Sequence, residues 1–161
     1  MFANVEKKPV PADSLLGAYA ARGGVFTDCY TTVIDRSVTI EEFVEAFYCT
    51  PLFKVERIIL AAAMSRPSTD VQAAAMASGD RERFSAWQVE GRAANEILLA
   101  DVSGATRSWL MVEPAAGYTT LLFGSAVINP GSSPLFSALM IFHKIYARSL
   151  IAAARASLAK A

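Results

Sequence analysis

FGSAVINPGSSPLFSALMIFHKIYARSLIAAARASL, residues 123–158, decides the fold, because the spacing of its apolar residues changes partway along. Up to Ile128 the pattern is that of a strand. Asn129-Pro130-Gly131 breaks it, Ser133 caps, Pro134 occupies a first helical position where its missing N–H costs nothing, and a helix runs nearly to the C-terminus. With Phe136 at zero on a helical wheel, Leu139, Met140, His143, Ala147, Leu150 and Ala154 all fall within about 60°. That stripe should face a sheet, and the chain's single histidine lies in its middle. Ile141, Phe142 and Ile145 remain as apolar surface on the other side.

Working back toward the N-terminus, four strands precede this helix: FSAWQVEGR, NEILLADV, ATRSWLMVE and YTTLLFGSAVI, with Ser103-Gly104 as a tight turn between the middle two. Four strands in succession imply an antiparallel meander. The turn would pair Ala100 with Arg107 and Leu98 with Trp109. One face then carries Glu96, Arg107, Trp109 and Met111, and the other Ile97, Leu99, Asp101, Thr106, Ser108 and Leu110. Neither face is plainly a solvent face, so the register stays open. If the Arg107 face is internal, its cation requires a carboxylate, which Glu90 or Glu96 could supply.

The N-terminal half begins with an extended tail, residues 1–12, containing Pro9 and Pro11. DSLLGAYAARGG follows as a short helix capped by Asp13 or Ser14 and stopped at Gly23-Gly24. VFTDCYTTVIDR, residues 25–36, is rich in β-branched and aromatic residues and reads as the first strand. Thr39 opens TIEE, a capping box, after which Ile40, Phe43, Val44, Phe47 and Tyr48 recur at helical spacing. Pro51 starts a second helix with two stripes: Leu52, Val55, Ile58, Ile59 and Ala62 on one side, Phe53, Leu60 and Met64 on another. Arg66-Pro67 ends it. Ser68 or Thr69 caps a short third helix through DVQAAAMA, and the run DRER is a solvated connection.

The whole is a single α+β domain, residues 1–161, with its core in 25–158: an antiparallel sheet of about five strands packed on a long C-terminal helix, and a helical pair inserted after the first strand. This order resembles the helix-grip fold of the START-like and Bet v 1-like (SRPBCC) superfamily, in which a curved antiparallel sheet wraps the terminal helix. YTTVIDRSVTIEEFVEAFY, TRSWLMV and LLFGSAV are also similar to an uncharacterised bacterial domain family near that superfamily. The resemblance is one of topology. Helix-grip proteins usually carry six strands after the helical pair, where four are found in this sequence.

Composition narrows the functions. Apolar residues make up 53% of the 161 and charged residues 19%, so few charges cover the surface, and a ligand, a partner or a second subunit is expected to cover part of it. Fifteen basic and fifteen acidic residues cancel, and no basic block exceeds Lys7-Lys8, which argues against nucleic acid. Cys29 and Cys49 have no CxxC spacing and there is one histidine, so no metal site is expected and both read as packed, reduced thiols. The sequence shows no signal-peptide pattern. Ala138–Phe142 is cut short by His143, Lys144 and Arg148, against the roughly 20 apolar residues of a transmembrane segment. A cytoplasmic location is the expectation. No GxSxG, HExxH, GxGxxG or GxxxxGK pattern occurs, and no cofactor is expected.

Two readings of His143 follow. It is a neutral imidazole sealed in the core, bonded to a backbone carbonyl or to Tyr30, Tyr118 or Tyr146; or it lines a cavity as a hydrogen-bonding or proton-transfer group. In the second case Tyr146 and Met140 join it from the helix, and Arg107, Trp109 and Glu90 from the sheet. Trp87, Trp109 and Phe123 otherwise read as core aromatics. Three functions are consistent with this: a domain holding an apolar or amphipathic small molecule between sheet and last helix, as the resemblance and the surplus apolar surface imply; a homodimer joined through Phe53/Leu60/Met64 and Ile141/Phe142/Ile145; or an enzyme using His143 and Tyr146, or Arg107 with Glu90 or Asp101.

Overall fold

The computed structural model describes residues 4–64 and 67–161, the side chains of 59–64, 135, 136 and 139 excepted. In chain order it runs β1 (Glu6–Lys7), α1 (Gly17–Ala20), β2 (Val25–Ile34), α2 (Ile40–Tyr48), α3 (Pro51–Met64), α4 (Asp70–Ser78), β3 (Arg83–Phe84), β4 (Trp87–Ala93), β5 (Glu96–Asp101), β6 (Thr106–Ala115), β7 (Tyr118–Ile128) and α5 (Pro134–Leu158). The strands form one antiparallel sheet in the order β1-β2-β7-β6-β5-β4-β3.

The described sheet therefore has seven strands where the sequence suggests about five, and the short helix read through DVQAAAMA stands beside the expected helical pair. The two additional strands are two residues each: β1 is too short to leave a hydrophobic period, and β3 comes from the predicted strand FSAWQVEGR, which a turn with Ser85 at a φ of 54° divides after Phe84. They form because the neighbouring strand offers unpaired backbone groups and because Val5 and Phe84 are buried beside them. The tail predicted to be merely extended thus closes one edge of the sheet. The third helix, α4, begins at a second capping box, between Thr69 and Gln72.

The remaining local signals act as their chemistry requires. Thr39 Oγ1 accepts from the Glu42 N–H (3.2 Å), while the Glu42 carboxylate accepts from the Thr39 N–H (2.8 Å). The turn after β5 sets the expected pairing, Leu98 opposite Trp109 and Ala100 opposite Arg107, with Gly104 at a φ of 75°. Asn129, at a φ of 52°, ends β7. The helix expected over DSLLGAYAARGG is reduced to Gly17–Ala20; the Ser14 hydroxyl accepts from the Gly17 N–H (3.1 Å).

Both faces of the sheet are covered. On the inner face lie α2, α4 and α5, and there Tyr30, Ile97, Leu99, Leu110, Leu121 and Phe123 pack against Phe43, Phe47, Tyr48, Leu150, Ile151 and Ala154. On the outer face the N-terminal segment lays Leu16 and Tyr19 over Cys29, Leu98, Trp109, Leu122 and Ala126. Gly124 makes that closure possible: a Cβ there would stand 2.6 Å from Leu16 Cδ2 and 2.8 Å from Trp109 Cε3.

One grouping of the α3 residues is overturned. Phe53, expected on an outward stripe with Leu60 and Met64, is buried against Tyr48 (centroids 4.7 Å apart, edge-on), whereas Val55 and Ile58 are exposed. A helical wheel fixes relative angles but not which stripe turns inward. Here Thr50 Oγ1 accepts from the Phe53 N–H (3.2 Å), and Arg57, bonded to Ser68 and Asp70 at the start of α4, fixes the rotation of the helix. The side chains of Leu60, Met64, Phe136 and Leu139, and the predicted stop at Arg66, lie outside the described residues.

Candidate functional site

Across β2, β7 and β6, successive inner-face rows change character. One row is Tyr30, Phe123 and Leu110, directly opposite one another; the next, in the same register, is Asp28, Ser125 and Ser108. Large rings fill the space beneath the helices in the first row. The short side chains of the second do not, and there a cavity of about 340 Å³ opens between the sheet and the N-terminal half of α5. Its walls are Phe47 and Phe53 from the helices, Trp87 and Phe123 from the sheet, and Met140, Ala147 and Leu150 from α5. This size and a mostly apolar lining with a few polar groups are what small-molecule pockets have in common.

Several polar groups stand at or just behind these walls. His143 presents Nε2 to Asp28 Oδ2 at 3.4 Å, and neither atom has a hydrogen-bond partner. Asp28 has no exposed side-chain surface; its Oδ1 accepts from the Ser125 N–H at 3.1 Å. Tyr146 donates a short hydrogen bond to Glu56 Oε2, joining α5 to α3 across the cavity. Burial raises the Glu56 carboxyl above its ordinary range, partly opposed by that bond and by the nearby His143. Burial, reinforced by Glu56, holds the Tyr146 phenol far above its usual range, so this tyrosine is a hydrogen-bond donor and not a base. Tyr48 and Ser108 share a hydrogen bond of 3.1 Å at the cavity floor, and Trp87 Nε1 is buried without a partner.

Of the residues singled out from the sequence, His143, Tyr146 and Met140 meet at this cavity. Arg107 touches its edge, but its guanidinium turns to the outer face, where Nε reaches Glu90 at 2.7 Å and the Tyr19 hydroxyl at 3.0 Å. Tyr19 also donates to Glu90 (2.6 Å). Trp109 is fully buried on that same outer face and donates to Glu96 (2.7 Å), which in turn accepts from the Leu15 N–H (2.9 Å). Arg107, Glu90 and Trp109 therefore clasp the N-terminal segment, and strand alternation is the reason they part from His143: odd-numbered residues of β6 point away from α5.

The group facing His143 Nε2 is Asp28, none of the tyrosines considered for it. Asp28 and Glu56 escape a sequence reading because a helical wheel or a strand period marks a polar residue as outward. The available signal was the parity of Asp28 with the inward Tyr30 and Ile34. Both thiols are free, as expected; burial pushes Cys29 up to about 12 and Cys49 to about 11, so neither is a ready nucleophile. Among the described residues no cluster of three or more metal-ligating side chains occurs, and no helix is long and apolar enough to cross a membrane.

No family model matches the chain, and no curated protein matches it. A solved structure of a conserved protein of unknown function from Enterococcus faecalis is similar at 14% identity and a TM-score of 0.34, covering 80% of this chain and 69% of that one. That likeness is too slight to bring any property across.

Proposed function

We propose that this protein is a small-molecule-binding domain that holds an apolar or amphipathic molecule between its sheet and its C-terminal helix. The observation that carries the proposal is the 340 Å³ cavity, walled by Phe47, Phe53, Trp87, Phe123, Met140 and Leu150 and edged by a few polar groups. Helices inserted after β2, five strands following them, and α5 against the sheet support a helix-grip resemblance one strand short of the usual six. Native mass spectrometry of freshly purified protein is the test. A bound small molecule, lost in a Leu150→Trp variant that fills the cavity, is the expected result; an empty wild-type protein that also takes up no apolar probe contradicts it.

A second proposal, self-association, rests on a different observation. Ile141, Phe142 and Ile145 are 63%, 66% and 53% exposed on α5, and Ile58 is 70% exposed on α3, a density of large apolar side chains uncommon on a solvated surface. Light scattering separates the two: a dimer dissociated by Phe142→Glu supports the interface, and a monomer at all concentrations removes it.

A further inference from the structure

We infer that the molecule taken by the cavity carries a protonated primary or secondary amine at its polar end, with Glu56 as the group that receives it. The inference rests on the small-molecule-binding proposal above and adds the sign of the ligand's charge.

The fixed charges around the cavity carry it. Glu56 lies in the wall, Asp28 lies behind His143, and no other carboxylate lines the space among the described residues. Two acidic side chains thus stand at this end of the space, against one imidazole. The one arginine lining the cavity among the described residues, Arg107, turns its Nε and Nη1 to the outer face, where Glu90, the Tyr19 hydroxyl and the carbonyls of Gly104 and Thr106 accept from them. An anionic ligand would thus add a negative charge to an acidic, poorly solvated site. A neutral ligand would leave Glu56 with only a phenol and an imidazole for neighbours.

An ammonium removes that cost. Burial disfavours the ionised Glu56, and a cation at hydrogen-bond distance would restore it, giving a charge-assisted bond in a place where water competes little. The walls suit the same group. Phe47, Phe53, Phe123, Trp87 and Tyr146 surround the space with rings, whose faces attract a cation and whose bulk accepts the apolar remainder of an amphipathic amine.

The test is calorimetric titration of the intact chain at neutral pH with three probes of equal chain length: octylamine, octan-1-ol and octanoate. A charge-assisted hydrogen bond predicts that octylamine binds about tenfold more tightly than the alcohol, with octanoate weakest. Glu56→Gln, which keeps an acceptor for Tyr146, should abolish the amine preference, so that octylamine binds no more tightly than octan-1-ol, with a cooperative urea transition reporting that the variant is folded. Equal binding of amine and alcohol overturns the inference while leaving the binding proposal standing. A preference for octanoate overturns it in sign, and this ranking in the wild-type protein needs no variant to be read. An amine preference that survives Glu56→Gln removes Glu56 from the role. Failure of all three probes to bind removes the cavity proposal itself.

Discussion

The two faces of β6 handle buried polar groups in opposite ways. On the outer face every such group finds its partner: Arg107 with Glu90 and Tyr19, Trp109 with Glu96, and Glu96 with the backbone of Leu15. On the inner face, around the cavity, Asp28 Oδ2, His143 Nε2 and Trp87 Nε1 have no hydrogen bond, and Glu56 is matched only by a phenol. A completed network stabilises one arrangement, here the N-terminal segment on the sheet; an incomplete one leaves acceptors and donors for something that is not part of the chain. The lesson concerns the residues chosen from the sequence. Arg107, Trp109 and Glu90 have the chemistry of a binding site, and the hydrogen bonds they make hold the N-terminal segment on the sheet.

The sharpest way to break this contrast is Trp109→Ala. It removes a fully buried indole from the outer face and leaves Glu96 without its donor, and should cost about 3–5 kcal/mol in urea denaturation. At temperatures where the variant stays folded, probe binding should be unchanged. Lost affinity in a folded Trp109→Ala protein would show that the faces are not independent.

His143→Phe probes the inner face. The ring has room beside the cavity, but Asp28 loses its only side-chain neighbour of complementary kind, so a cost of about 1–3 kcal/mol is expected. Adding Asp28→Asn should recover part of it, and a double-mutant cycle measures the coupling. Purely additive effects would mean that the 3.4 Å approach has no energetic content.

Glu56 supplies a pH signature. Its carboxyl is raised in the folded protein, so its contribution to stability is fully present below the unfolded-state pKa and is lost as pH rises through the raised value. Glu56→Gln abolishes that titration. The stability of the variant relative to wild type should therefore increase as pH rises from the ordinary glutamate range through the raised one, measured by urea unfolding at each pH. Glu42 and Asp70, lowered by their partners, titrate in the opposite sense in both proteins and cancel in the difference. A difference that is flat with pH would place Glu56 in an ordinary, solvated environment.

The smallest effect is expected at Phe142. It is two-thirds exposed and stacked on Tyr146, so Phe142→Glu should change the stability of a monomer by no more than about 0.5 kcal/mol, by thermal or urea melting. A larger loss, together with loss of a dimer, would show that the stripe is a subunit interface that stabilises the fold.

Much of the architecture is legible along the chain because it is set by neighbours in sequence. The Thr39–Glu42 capping box, the β2 and β4–β7 strands, the turn that pairs Leu98 with Trp109, and the start of α5 at Pro134 are all local signals, strong enough that tertiary contacts do not override them. The placement of His143 and Met140 together also follows from a local period, one helical stripe, with Tyr146 at its margin. Tertiary structure decided the rest. Which stripe of α3 turns inward, that β1 and β3 pair at the sheet edges, and that the N-terminal segment covers Arg107 and Trp109 all depend on contacts between residues far apart in sequence. Asp28 and Glu56 join the site for the same reason. A carboxylate is expected in water until the fold supplies it a partner, and the partners, His143 and Tyr146, lie on a helix more than ninety residues away from Asp28 and about ninety from Glu56.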